Sequence, residues 1–122
     1  MTARTMETQR ISKIGADAFQ KQVYESATPV VVDFYADWCG PCKMVSPVLE
    51  RLSMEYEGKV KFVKLNVDDD PEIAANFGIM SIPTVLFFAN GKARDAIIGA
   101  VSPAEYKRRI EETLKGQKGE GA

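Results

Sequence analysis

The chain has only two cysteines, Cys39 and Cys42, three residues apart in Trp38-Cys39-Gly40-Pro41-Cys42. Side chains at that spacing lie on one face of a helical turn, so the two sulfurs are placed to meet. A helix starting here would offer unpaired N–H groups and the positive end of its dipole to a thiolate on its first turn. Cys39 is therefore expected to be the exposed nucleophile. Cys42, one turn further in, is expected to attack the mixed disulfide that Cys39 forms with a substrate. Lowering a thiol pKa by about 1.5 units raises the thiolate fraction at pH 7 about 15-fold. At a Brønsted slope near 0.5 each thiolate then loses about 5-fold in nucleophilicity, so the net gain is only about 3-fold. Holding Cys42 beside the intermediate offers more, because well-oriented intramolecular groups reach effective molarities of about 10⁵ M or higher. Pro41 stiffens the turn, so less freedom is lost in the second attack.

Other chemistries are poorly supplied. The chain contains no histidine, which removes Cys-His and Ser-His nucleophile pairs, histidine metal sites and histidine pH switches. A structural zinc site takes four ligands, and two cysteines suffice only if a dimer shares one ion. That metal reading stays as one alternative. A non-enzymatic interaction module, using the fold as a scaffold, is another.

The elements around the cysteines favour the redox reading. Pro29 opens the β-branched and aromatic run Val30-Val31-Val32-Asp33-Phe34-Tyr35, the pattern of a strand buried on both faces at a sheet centre. After Cys39, the spacing of Val45, Val48, Leu49, Leu52 and Tyr56 marks an apolar helical stripe, with Pro47 expected to kink it. Val60–Val67 follows as a second strand, and strand, helix, strand in that order makes a right-handed parallel unit the default. Cys-X-X-Cys inside such a unit is a redox motif. On either side of this core, Ile11–Ile14 reads as a strand, and Asp17 with Gln20 as the cap of a helix carrying Phe19 and Val23. Asp70-Pro71 starts a short helix ending near Gly78. The runs 84–89 and 93–98 flank Asn90-Gly91, the dipeptide of a tight hairpin. Ser102-Pro103-Ala104-Glu105 is a capping box for the last helix, with Val101 stapling onto Tyr106.

Length and charge narrow the partners. At 122 residues and 13.5 kDa the chain has room for one domain, and surface scaling lets about two-thirds of its area be buried. Sixteen Lys plus Arg against 17 Asp plus Glu leave a net charge of −1, without the positive excess that binds nucleic acid. Lys107-Arg108-Arg109, followed by Glu111 and Glu112, reads as a solvated helix face. No apolar run is long enough to span a membrane. Met1–Arg10 lacks the apolar core of a secretory signal, so a cytoplasmic location is expected, and with it no structural disulfide framework. The domain is placed at 11–115, between a flexible N-terminal extension (1–10) and a flexible, glycine-rich C-terminal tail (116–122).

Val32-Asp33-Phe34-Tyr35-Ala36-Asp37-Trp38-Cys39-Gly40-Pro41-Cys42-Lys43 resembles the active-site signature of the thioredoxins. Lys64-Leu65-Asn66-Val67-Asp68, Ile82-Pro83-Thr84, Asn90-Gly91 and Gly99-Ala100 agree with that family in order and spacing. The resemblance implies an α/β thioredoxin fold, a central mixed sheet of about five strands flanked by about four helices. It implies a protein-disulfide reductase and electron carrier whose redox-active disulfide is Cys39–Cys42, with no further cofactor. It is expected to be a monomer, to act on disulfide-containing protein substrates, and to be re-reduced by a separate thioredoxin reductase. Asp33 interrupts an apolar strand, where desolvation raises a carboxyl pKa. In the family that position is a buried acid accepting the Cys42 proton, and Lys64 resembles the lysine whose charge lies near it. Ile82-Pro83 is a cis peptide bond in the family. Its backbone, with those of Trp38 and Gly99, would pair with an extended substrate segment, while Trp38, Gly40, Pro41, Ile82, Gly99 and Ala100 would make the docking surface. Tyr35 departs from the Trp found in many bacterial members, which leaves Trp38 the only tryptophan.

Overall fold

A computed structural model describes residues 11–121, with side chains as far as Gln117; the extension at 1–10 lies outside them. Val30–Tyr35 (β2) takes the sheet centre, as its unbroken apolar run requires. It pairs in parallel with Lys61–Asn66 (β3) and antiparallel with Thr84–Ala89 (β4). Ser12–Lys13 (β1) extends the sheet beyond β3, and Lys92–Ile98 (β5) beyond β4, giving the five-stranded mixed order β1-β3-β2-β4-β5. The last two strands form the expected hairpin, with Asn90 at φ 53° and Gly91 at φ 78°. A Cβ on Gly91 would lie 2.8 Å from the Tyr24 carbonyl oxygen, so both backbone angle and space reserve that position for glycine.

Four helices cover the sheet: Ala16–Phe19 (α1, continued by a π-helical turn Gln20–Tyr24), Gly40–Glu55 (α2), Pro71–Asn76 (α3) and Pro103–Gly121 (α4). The two-residue period of β2 divides the core. Val31 faces the cluster of Val45, Leu49 and Leu52 from α2 and Tyr106 and Ile110 from α4. Val30, Val32 and Phe34 face the other cluster, with Phe19, Val23 and Ala74. Each fully buried Val, Leu, Ile or Phe side chain among them contributes about 1.5–3 kcal/mol. This two-sided burial holds the C-terminal end of β2, and the turn after it, against both helical layers.

Several local expectations are corrected. Gly15, not Asp17, is the residue preceding α1, and Asp17 lies in the first turn. A Cβ at position 15 would come within 3.1 Å of the Asp17 carboxylate and 3.3 Å of that of Asp70, so a larger residue there would have to shift those side chains. The capping box at Ser102 is half formed. Ser102 Oγ accepts from Glu105 N–H at 3.3 Å, but the Glu105 carboxylate turns to Arg108 and Arg109. Helix α4 continues through the segment expected to be a tail, as far as Gly121. Gln117 Nε2 donates to the Ala27 carbonyl at 2.9 Å, tying the extra turn to the loop before β2. Pro47, where a kink is expected, lies inside α2, whose helical span nonetheless continues to Glu55; that continuity neither corrects nor confirms the kink.

Candidate active site

The site forms where β2 ends and α2 begins. Cys39 is the residue preceding the helix, with extended backbone, and its Sγ accepts from the Cys42 backbone N–H at 3.2 Å. That bond satisfies one of the helix's free donors and aims the dipole at the sulfur. Pro41 occupies the first turn, where its missing N–H removes no helical bond. The two sulfurs are joined in a disulfide. Both cysteines are buried, Cys39 at 3% and Cys42 at 4% exposure, so the expectation of an exposed Cys39 is corrected. The disulfide folds its sulfur into a small apolar cluster with Ala36, flanked by Tyr35, Val67 and Ile82. Position on the helix, not exposure, distinguishes the two thiols.

Behind the disulfide lies a cavity of about 170 Å³, lined by Asp33, Lys64, Cys42 and Ser46 and rimmed by Asp37 and Lys43. Asp33 shares a face of β2 with Val31 and is itself buried. Its Oδ1 accepts no hydrogen bond. Burial pushes this carboxyl up to about 7, with the charge of Lys64 pulling the other way. Lys64 is the direct cross-strand neighbour of Asp33. Its strand β3 is internal, between β1 and β2, and its Nζ lies 5.4 Å from the centroid of the Tyr35 ring.

The opposite side of the disulfide is apolar. Trp38 is 70% exposed, with its indole N–H fixed on Asp68 Oδ2 at 2.8 Å. Gly40 and Pro41 are exposed beside it. The Ile82–Pro83 peptide is cis, Ile82 packs on the cysteine cluster and Pro83 is buried. Gly99, at φ 86°, donates its N–H to the Pro83 carbonyl at 2.8 Å; Ala100 follows, exposed. A groove of about 390 Å³ runs between Trp38 and Ile82, floored by Val67, Ala74 and Ile79. On its rim Met80 is 95% exposed. The structure thus separates the expected residues into an ionisable pair lining the cavity (Asp33, Lys64) and a group on the other side of the disulfide (Trp38, Gly40, Pro41, Ile82, Pro83, Gly99, Ala100), with Cys39 and Cys42 between. Sequence reasoning missed Ser46, Asp68 and Met80. Of these only Ser46 carried a signal, lying one helical turn beyond Cys42 and Lys43.

A disulfide at a helix N-terminus over a buried carboxylate, on a mixed five-stranded sheet, defines a thiol–disulfide oxidoreductase. Residues 10–112 match the family Thioredoxin. The chain is 46% identical over 104 residues to the chloroplastic M-type thioredoxin of Pisum sativum, covering 85% of this chain and 60% of that protein. It is 42% identical over 103 residues to thioredoxin 1 of Nostoc sp., covering 84% and 96%, and 47% identical over 104 residues to the thioredoxin of Porphyra purpurea, covering 85% and 94%. The chain belongs to the thioredoxin family, and Cys39–Cys42 is its thiol–disulfide redox centre.

Proposed function

We propose that the protein reduces disulfides in extended segments of other proteins, as an electron carrier re-reduced by a separate thioredoxin reductase. The observation that carries this reading is the unpartnered Asp33 carboxylate in the cavity that also borders Cys42. The Cys39 thiolate attacks one substrate sulfur; a Cys39–substrate disulfide forms and the first substrate thiolate leaves. Cys42 gives its proton to Asp33 across the cavity and attacks Cys39 Sγ. The Cys39–Cys42 bond forms, and the second substrate sulfur departs to be protonated. Two electrons have then passed from the dithiol to the substrate disulfide, with no cofactor beyond the two sulfurs.

Trp38, Gly40, Pro41, Ile82, Pro83, Gly99 and Ala100 receive the substrate. Because the Gly99 N–H and the Pro83 carbonyl already bond each other, strand pairing falls mainly to the backbone of Ile82 next to them. A monomer suffices, since every group in the scheme comes from one chain. Neither nucleic acid nor membrane enters the scheme. Among the described residues no helix is long and apolar enough to cross a membrane. We place the protein in a compartment that keeps dithiols reduced, the cytoplasm first; the chloroplastic name of the pea relative makes a plastid the alternative. Insulin-disulfide reduction with dithiothreitol as donor tests the activity, and candidate reductases can then replace the dithiothreitol. Acceleration is expected, and its absence would overturn the reductase reading.

A further inference from the structure

Lys64 is the one cation whose charge bears on both Asp33 and Glu50. Along α2, Lys43, Ser46 and Glu50 follow one another at steps of three and four, which stacks them on one face. The first two line the cavity with Asp33 and Lys64, and Glu50 lies one turn beyond. Among the described residues only two buried side-chain polar atoms lack a hydrogen bond, Asp33 Oδ1 and Glu50 Oε1. Burial raises the pKa of both carboxyls, and the cation whose field opposes that rise is in each case Lys64. A polar atom held out of water without a partner is costly, and Lys64 is the nearby cation that offsets part of that cost for both acids.

The other groups facing this cluster are accounted for. Tyr35 from β2 lies under the Lys64 ammonium. Lys43 and Asp37 sit at the cavity rim. Lys13 from β1 is engaged with Asp69 at 2.8 Å, and Tyr106 from α4 directs its hydroxyl to the Gly99 carbonyl. We propose that Glu50 is a positioning residue for the resolving step: its carboxylate competes with Asp33 for the Lys64 ammonium, so the charge on Glu50 governs how readily Asp33 takes the Cys42 proton. This rests on Asp33 being the proton acceptor. An ionised Glu50 repels the Asp33 carboxylate and engages the ammonium, and both effects strengthen Asp33 as a base. A neutral side chain at position 50 leaves Lys64 wholly to Asp33 and weakens it.

The test uses the full chain as wild type, Glu50→Gln, Glu50→Asp, Asp33→Asn and the double variant Asp33→Asn with Glu50→Gln. Two readouts are taken: NMR titration of the Asp33 carboxyl carbon in the oxidised protein, and the pH profile of single-turnover disulfide reduction. Glu50→Gln should move both midpoints to lower pH by about 0.5 to 1 unit, the size of effect expected of one nearby charge at a permittivity between those of protein and water. Glu50→Asp should restore most of the shift, and in the Asp33→Asn background Glu50→Gln should leave the profile unchanged. Superimposable wild-type and Glu50→Gln titrations, alongside a slow Asp33→Asn, would overturn the role of Glu50 alone. A profile shift that persists in the Asp33→Asn background would do the same. An Asp33→Asn variant as fast as wild type would remove the acceptor, and the role of Glu50 with it.

Discussion

Replacing Asp33 by Asn removes a charge while keeping the side chain's shape, and the structure sets opposite signs for its effects on stability and rate. Burial pushes the Asp33 carboxyl up to about 7 in the folded chain, from an ordinary value of 3.8. Because the folded pKa is the higher one, the folded state binds the extra proton between these values, and stability falls as pH rises through that window. At 1.36 kcal/mol per unit the penalty is on the order of 4 kcal/mol above pH 8 and vanishes below pH 4. Asn carries no such penalty, so the stabilisation by Asp33→Asn should grow from near zero at pH 4 toward that limit at pH 8. The rate moves the other way. Loss of a positioned base slows proton transfer by about 10²-fold at the low end of its usual range, and resolution by Cys42 should slow by that order at pH 7. By pH 9 the defect should shrink, because hydroxide ionises the thiol directly. Urea unfolding of the oxidised proteins at pH 4, 6 and 8, with stopped-flow single-turnover reduction at pH 7 and 9, measures both. A stability gain independent of pH would refute the desolvation argument, and an unchanged rate at pH 7 would leave Asp33 with a structural role only.

Cys42→Ser should keep the first attack and lose the second, accumulating substrate joined to Cys39 on non-reducing gels, whereas Cys39→Ser should trap nothing; the reverse pattern would exchange their roles. Lys64→Met removes the charge that opposes the upward shift of Asp33, so the pH profile of single-turnover reduction should move to higher pH by about one unit, opposite in sign to Glu50→Gln. Gly91→Ala places a Cβ 2.8 Å from the Tyr24 carbonyl at a φ of 78°. It should destabilise the chain by about 1 to 3 kcal/mol, seen as a lower urea midpoint with an unchanged rate of disulfide reduction.

What the sequence made legible is what local chemistry dictates. Asn90-Gly91 announced its hairpin because few residues tolerate positive φ. Asp33 stood out because one carboxylate interrupts a run of Val and Phe, and Cys-Gly-Pro-Cys because its place after that run puts it at a helix start. What stayed hidden depends on several elements meeting. Nothing near Glu50 in sequence indicates that one of its carboxylate oxygens is buried without a partner or that the Lys64 charge reaches it. Gly15, not Asp17, precedes the first helix, and a side chain there would press on Asp70, a residue 55 positions away in the chain. The burial of Cys39 was missed because exposure was inferred from the helix terminus alone, while Ile82 and Val67, which flank the cluster, arrive from other elements. Gly116 and Gly121 suggested a tail on composition, but a helix already nucleated over three turns continues at a cost of only about 1 kcal/mol per glycine.

The placement of Asp33 follows from the same packing. On β5, where most side chains are exposed, a carboxylate would stay hydrated and titrate near its ordinary value, too weak a base to draw a proton from a thiol at neutral pH. On β2, with helices against both faces, desolvation raises it toward the neutral pH at which the proposed proton transfer from Cys42 would take place. Burial without a nearby cation would carry it further, and an acid protonated throughout the neutral range would accept nothing. Lys64, held beside Asp33 by the parallel register of β2 and β3, limits that rise. The base strength at the redox centre is thus set by strand order and register, which bring one cation to a carboxylate buried on the neighbouring strand.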